Sequence, residues 1–364
     1  MLFQLLDSYF KSDRRPELVR KIYGLVLRIL SGLYLCGYWI RKSLYQTGLL
    51  RPARIGVSVI SVGNLTWGGT GKTPLVIYLA GRLEKSGQRV VILTRGYKRK
   101  TNEQMVLDPK NLKGMNWQTC GDEPYLICRS LLNTTLVINA KRAKAARWAE
   151  ENLKPDVFLL DDGFQHWKLQ RDLDIVLIDS QNPFGNGRLQ PLGILREPLK
   201  ALSRADLIIL SKMSDKEIST ELQQKVSPYY QGEILQTKYR LSLIRELETG
   251  QEFVLSDLKR KKLLAFCGIG DPDSFYSLLE QSELRVGKKL SFPDHYAYDR
   301  FDLLSLEKEG LKIGADYLAT TAKDGLKIPA NLQLQIPLLI FEIEVEVISG
   351  EEVLWQRIEP ILKR

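Results

Sequence analysis

Histidine, cysteine and methionine are scarce in this 364-residue chain, at two, four and four residues. Cys36, Cys120, Cys128 and Cys267 are scattered without metal-ligand spacing. That excludes a zinc module and a disulfide framework, and reads as reduced, buried thiols in a cytosolic compartment. No internal repeat and no low-complexity tract occurs, so solenoid and bulk-disordered classes fall away. Acidic residues are short in one place only: residues 1–54 hold ten Lys/Arg against three Asp/Glu, a net +7 of the chain's +10. Elsewhere no basic face interleaved with aromatics stands out, and nucleic acid is not an expected partner.

Long apolar runs are also lacking, with one exception. Within residues 18–50, Arg28 is the only charge between Ile22 and Ile40, and Arg20-Lys21 and Arg41-Lys42 flank the run. Arg28 and three glycines weaken a spanning helix, and no small-residue cleavage site follows for a signal peptide. Two readings stand. One is a helix lying on a membrane, with Tyr23, Tyr34, Tyr38 and Trp39 at headgroup level and basic flanks on anionic lipid. The other is a buried core helix.

What is present is dominated by residues 55–80. An apolar strand from Val57 to Val62 feeds a glycine-rich turn, Lys72-Thr73-Pro74, and an apolar helical pattern. Backbone N–H groups of Gly68, Gly69, Thr70 and Gly71, with the helix mouth, suit phosphate oxygens. Lys72 adds a point charge for the outer phosphates and Thr73 a hydroxyl for Mg2+. The usual first glycine of this motif is Thr66 here.

Further apolar strands follow at helix-length intervals: 89–93, 135–139, 156–160, 174–179 and 206–210. Almost continuous apolar strands in repeated β-α units predict an α/β fold with a mostly parallel sheet covered on both faces. The strand 156–160 runs into Asp161-Asp162, the position from which phosphate-loop enzymes present carboxylates to Mg2+. Arg95 follows the strand 89–93. Spacing alone makes Asp122, in Gly121-Asp122-Glu123-Pro124, a helix-capping carboxylate. The irregular loop 182–198 offers Arg188, Arg196 and Glu197 as chemical groups. Extended segments at 234–243 and 338–347 pair as a ribbon bounding a second, smaller α/β domain. The expected divisions are 1–50, a membrane-associated helical segment; 51–230, an ATP-binding domain; and 231–364, the second domain. Both histidines, His166 and His295, fall in polar turns at apparent strand ends.

Seven motifs occur in order: SVGNLTWGGTGKTP (61–74), TRGY (94–97), GDEP (121–124), DDGFQHWKLQRDLDIVLID (161–179), GNGRLQPLGILREP (185–198), FPDHY (292–296) and TAKD (321–324). Together they resemble the tetraacyldisaccharide 4'-kinase family, in which Thr at position 66 is normal. The resemblance implies ATP and Mg2+ as cofactors and phosphoryl transfer to the 4'-hydroxyl of a lipid disaccharide 1-phosphate. It also implies docking on the cytoplasmic face of the inner membrane, with no obligatory protein partner. It implies Asp122 as catalytic base helped by His295, and Lys72, Thr73, Asp161 and Asp162 at the triphosphate and metal. Arg95, His166, Asn186, Arg188, Arg196 and Glu197 become the substrate-side residues. Family members often have a second His at position 296 and Glu at 322, where this chain has Tyr296 and Ala322. The rival reading, a nucleotide-switch or metallochaperone GTPase, requires a guanine-reading N/T-K-x-D. The nearest stretch, Ser211–Asp215, has the wrong spacing. A deviant-Walker ATPase requires a lysine where Trp67 stands. A catalytically silent ATP-binding protein is a third reading, against which the full set of acidic and basic groups argues.

Overall fold

The computed structural model describes residues 17–97, 99, 101, 103–112, 114–213, 218–329 and 333–363. Part of the expected N-terminal segment (1–16), and Ser214 and Asp215 of the stretch weighed for guanine reading, lie outside the described residues.

Strands are β1 (Ser58–Asn64), β2 (Val90–Thr94), β3 (Met105–Leu107), β4 (Thr135–Ile138), β5 (Val157–Asp161), β6 (Leu173–Asp179) and β7 (Leu207–Ser211). They continue with β8 (Ile234–Glu246), β9 (Glu252–Phe253), β10 (Lys262–Cys267), β11 (Arg285–Ser291), β12 (Tyr317–Thr321) and β13 (Leu338–Ser349). All belong to one sheet, ordered β11-β10-β12-β13-β8-β7-β6-β1-β5-β2-β4-β3, with β9 on β8. The expected mixed α/β architecture with mostly parallel strands is what the chain adopts. Strands β1, β2, β5, β6 and β7 are buried almost throughout. That is why their sequences read as unbroken Val/Ile/Leu runs rather than alternating ones. Helices α2 (Lys72–Lys85), α3 (Asp122–Arg129) and α5 (Glu351–Leu362) pack into the core beneath one face. Helix α4 (Arg142–Leu153) packs into a second core on the other face.

The ribbon is present, and longer than the sequence segments suggested. β8 and β13 pair antiparallel from Gln236↔Ser349 to Glu246↔Leu339. Beyond it β12, β10 and β11 add in parallel, so a single sheet runs through both lobes. Three strands escaped the sequence, one of them the two-residue β9. β3 spans three residues in a polar stretch, too short to show a period, and pairs antiparallel with β4. β11 is an edge strand whose residues alternate half-buried and exposed, with Arg285, Lys288 and Lys289 masking the signal. Charged edges of this kind resist pairing with other chains.

The N-terminal run is one 30-residue helix, α1 (Glu17–Gln46), in which only Leu27 and Tyr38 are buried. It is therefore not a core helix. Ser31, Tyr34, Tyr38, Arg41 and Tyr45, spaced three and four apart, form its docking stripe. Ser31 Oγ donates to Leu189 O at 3.0 Å, Tyr34 Oη to Arg196 O at 2.6 Å and Arg41 to Gln165 O at 3.0 Å. Tyr38, Tyr45 and Arg41 also pack on the Trp167 ring. Ile22, Leu25, Val26, Ile29, Leu30, Leu33 and Ile40 are exposed.

Candidate active site

Between β1 and α2 the chain turns through Gly68 (φ 118°) and Gly71 (φ 89°), both in the left-handed region open to glycine. Gly71 has a second reason to lack a side chain: a Cβ there would lie 2.2 Å from Tyr239 Oη. Asn64 Nδ2 donates to Thr70 Oγ1 at 2.7 Å, and Ser211 Oγ to Thr70 O at 2.8 Å. The loop is thus a fixed cradle whose open side faces a cleft of about 2410 Å3. Gly68, Gly69, Thr70, Gly71, Lys72, Thr73, Arg95, Asp161, Asp162, Asn186, Arg196, Glu197 and His295 line it, as do Tyr34, Tyr38 and Arg41 of α1.

Parallel strand ends bring the acidic residues here, because β5 lies directly beside β1 with Val62 opposite Asp161. Asp161 accepts from Thr94 Oγ1 at 2.9 Å. Burial, with the charges of Glu123 and Asp162, pushes its carboxyl up to about 6. Asp162, at φ 49°, faces the other way: Arg196 meets it at 2.8 Å and Lys72 at 3.6 Å. Burial would raise that carboxyl too, but the two cations outweigh it and hold it at about 2. Arg196 in turn stacks on Trp67, 4.4 Å from the ring centroid. So the 182–198 loop is fastened to the phosphate loop.

Across the cleft stands His295, at φ 64° on the loop after β11. Its Nδ1 is 2.7 Å from Asp122 Oδ2, at the start of α3. Burial would raise the Asp122 carboxyl, yet the His295 hydrogen bond and Lys323 overcome this and hold it at about 2. His295 lines the cleft and Asp122, 5% exposed, sits behind it. Left-handed backbone at Asp162, His295 and also Lys212 (φ 58°) costs about 1 kcal/mol or more each and persists only where surrounding contacts impose it.

Not every expected substrate residue arrives. His166 accepts from Arg142 at 2.8 Å and does not line the cleft. Burial first, then Arg142 and Arg171, depress it to about 3, so it is neutral near pH 7. Arg188 is exposed outside the cleft lining. Glu197 is 3% exposed and paired with Arg204 at 2.7 Å, and Asn186 holds the turns at Arg188 and Leu192. Sequence reasoning passed over Lys212, whose ammonium bridges Asp179 at 2.5 Å and Asp271, and gave Lys323 no role. The TAKD motif flagged Lys323, but nothing in the spacing pairs it with Asp122.

A rigid glycine cradle with its lysine at a helix mouth, a carboxylate pair on the adjacent strand end and an Asp–His contact closing from a second lobe define a P-loop phosphotransferase. Residues 23–363 match the family described as tetraacyldisaccharide-1-P 4'-kinase. A relative named tetraacyldisaccharide 4'-kinase, from Halothermothrix orenii, is 37% identical over 369 residues, covering 94% of each chain. Another of that name, from Aquifex aeolicus, is 39% identical, covering 79% of this chain and 84% of its own. A crystal structure of LpxK from Aquifex aeolicus in complex with ATP aligns with TM-score 0.73 at 35% identity, covering 93% of this chain and 99% of that one. The chain belongs to the tetraacyldisaccharide 4'-kinase family.

Proposed function

We propose that this chain transfers the γ-phosphoryl group of ATP to the 4'-hydroxyl of a tetraacyldisaccharide 1-phosphate, in lipid A biosynthesis. The observation that carries the reading is the 2.7 Å contact between Asp122 and His295, made by two lobes at the wall of the cleft that Lys72 also lines. At about 2410 Å3 that cleft is well beyond the roughly 300–1,000 Å3 of ordinary small-ligand pockets, and it reaches α1, as a lipid disaccharide requires.

The cradle suits a triphosphate: Gly68, Gly69, Thr70 and Gly71 line the cleft, Tyr239 packs where a side chain at Gly71 would lie, and Lys72 stands at its edge. Asp161, Asp162 and Thr73 suit Mg2+, since Lys72 and Arg196 pair with Asp162 while, among the described residues, no cation stands at ion-pair distance from Asp161. No cluster of three metal-ligating side chains occurs among the described residues, which fits a cation held by one or two carboxylates, phosphates and water. Mg2+ bound there supplies charge neutralisation on the phosphates. Lys72 and Arg196, now on Asp162, are within reach of the transferring group. Asp122 and His295 act as one coupled acceptor for the hydroxyl proton. As the 4'-oxygen bonds to the γ-phosphorus, the bond to the bridging oxygen breaks and its electron pair leaves on ADP. Closure of the two lobes excludes water from this step. Arg95 and Arg196 face the disaccharide and phosphate end, whereas His166, Glu197 and Asn186 hold the shape of the loops through Arg142, Arg204 and the Leu192 carbonyl.

The chain divides functionally at 50/51 and 230/231, into an anchoring helix, a nucleotide-binding domain and an acceptor-closing domain. The exposed apolar side of α1 lies on the cytoplasmic face of the inner membrane while its tyrosine stripe grips the enzyme. The test is an assay with ATP, Mg2+ and detergent-dispersed lipid disaccharide 1-phosphate, in which bisphosphate forms. A second test deletes residues 1–50, after which liposome association falls; unchanged partitioning would remove α1 from that role.

A further inference from the structure

Lys323 is 14% exposed and sits in a one-turn helix, Ala322–Gly325, directly after β12. Its ammonium lies 3.1 Å from Glu123 and 3.8 Å from Asp122, both on α3 of the other lobe, and 3.4 Å from Asp294 of its own lobe. The turn is built rigidly. Asp324, fully buried, accepts from Thr321 Oγ1 at 2.8 Å and from Gly268 N at 3.0 Å, and pairs with the fully buried Lys327 at 2.8 Å. Gly268 O also accepts from His295 N at 3.1 Å. One buried network therefore fixes both the Lys323 turn and the backbone that carries His295. A buried ion pair at a turn is weak ground for stability alone.

Bringing His295 to Asp122 necessarily brings Asp294 toward Asp122 and Glu123. These three carboxylates repel at short range in a partly desolvated cleft, just where a triphosphate adds more negative charge. Around them the facing charged groups are Lys323, His295 and, more remotely, Lys327. We propose that Lys323 is a positioning residue for phosphoryl transfer, an ammonium that neutralises the facing carboxylates of the two lobes and so lets the Asp122–His295 pair form. The inference rests on the kinase reading and adds to it the residue that makes closure electrostatically possible.

The test is steady-state kinetics on the full chain with ATP and lipid disaccharide 1-phosphate, comparing wild type with Lys323→Met, Lys323→Arg and Lys323→Met/Glu123→Gln. Lys323→Met should lower kcat about 10- to 100-fold, the scale of a small misplacement of reacting groups. KM for ATP should stay within about twofold, because Lys323 grips carboxylates and not the phosphate loop. Lys323→Arg should retain most of kcat, and the double variant should recover several-fold over Lys323→Met by removing a repelling carboxylate. If Lys323→Met does not fold, Lys323→Gln takes its place in the comparison. A kcat within threefold of wild type, equal loss in the Arg and Met variants, or no recovery in the double variant overturns the assignment. Wild-type turnover in the same assay tests the kinase reading separately.

Discussion

Replacing Asp122 with asparagine separates the proton acceptor from the nucleotide site. The amide keeps the shape of the side chain but not its charge, so the 2.7 Å contact with His295 loses its ionic character. General-base catalysis is worth roughly 100- to 10,000-fold, or about 3 to 5 kcal/mol of barrier. In the same assay kcat should fall by at least about 100-fold while KM for ATP changes little. Stability shifts too, with a sign fixed by the carboxyl. Its pKa is depressed from 3.8 to about 2, so the stabilisation is fully present above about pH 4 and is lost as pH falls through about 2. The difference is about 2 kcal/mol, and Asp122→Asn should lower Tm by several degrees at pH 7 and by progressively less toward pH 2. A kcat within threefold of wild type, with ATP binding intact, would refute the reasoning and move the proton acceptor to Asp162.

Three further outcomes follow from the same geometry. Gly71→Ala, with a positive φ and a Cβ 2.2 Å from Tyr239 Oη, should abolish ATP binding measured by calorimetry; wild-type affinity would show that the cradle is not closed there. Asp161→Asn should abolish Mg2+-dependent turnover yet raise Tm at pH 8 in chelator. Folding favours the protonated acid, whose pKa is raised to about 6, so stability declines as pH rises from about 4 to about 6 by about 3 kcal/mol and stays low above that. A lower Tm at pH 8 counts against a net cost of burying that charge. Replacing exposed Leu25, Ile29 and Leu33 of α1 with Glu should weaken binding to anionic liposomes and leave Tm unchanged, since these side chains stabilise nothing within the chain.

The sequence made the phosphate loop and the acidic strand end legible because both depend on local order: strand, glycines, helix, and an apolar strand ending in carboxylates. The ribbon was legible because half-buried strands alternate. What it could not expose were contacts made between the two lobes. Asp122 looks like a helix cap in its own segment, and only His295, 173 positions away, gives it a partner that implies chemistry. Lys323 and Lys212 are ordinary cations until the sheet brings distant carboxylates to them. His166, which the family resemblance puts among the substrate-side residues, lies outside the cleft lining. Its own segment shows a polar turn, and Arg142, on a neighbouring helix, is the partner the fold brings to it.

The measurement closest to the central claim is product formation from ATP labelled in its γ-phosphate, with purified chain, Mg2+ and lipid disaccharide 1-phosphate dispersed in detergent. Label should appear on the 4'-oxygen of a bisphosphorylated lipid, and should vanish with Lys72→Ala. Absence of labelled lipid from wild type under dispersing conditions, or label formed equally well by Lys72→Ala, contradicts the account.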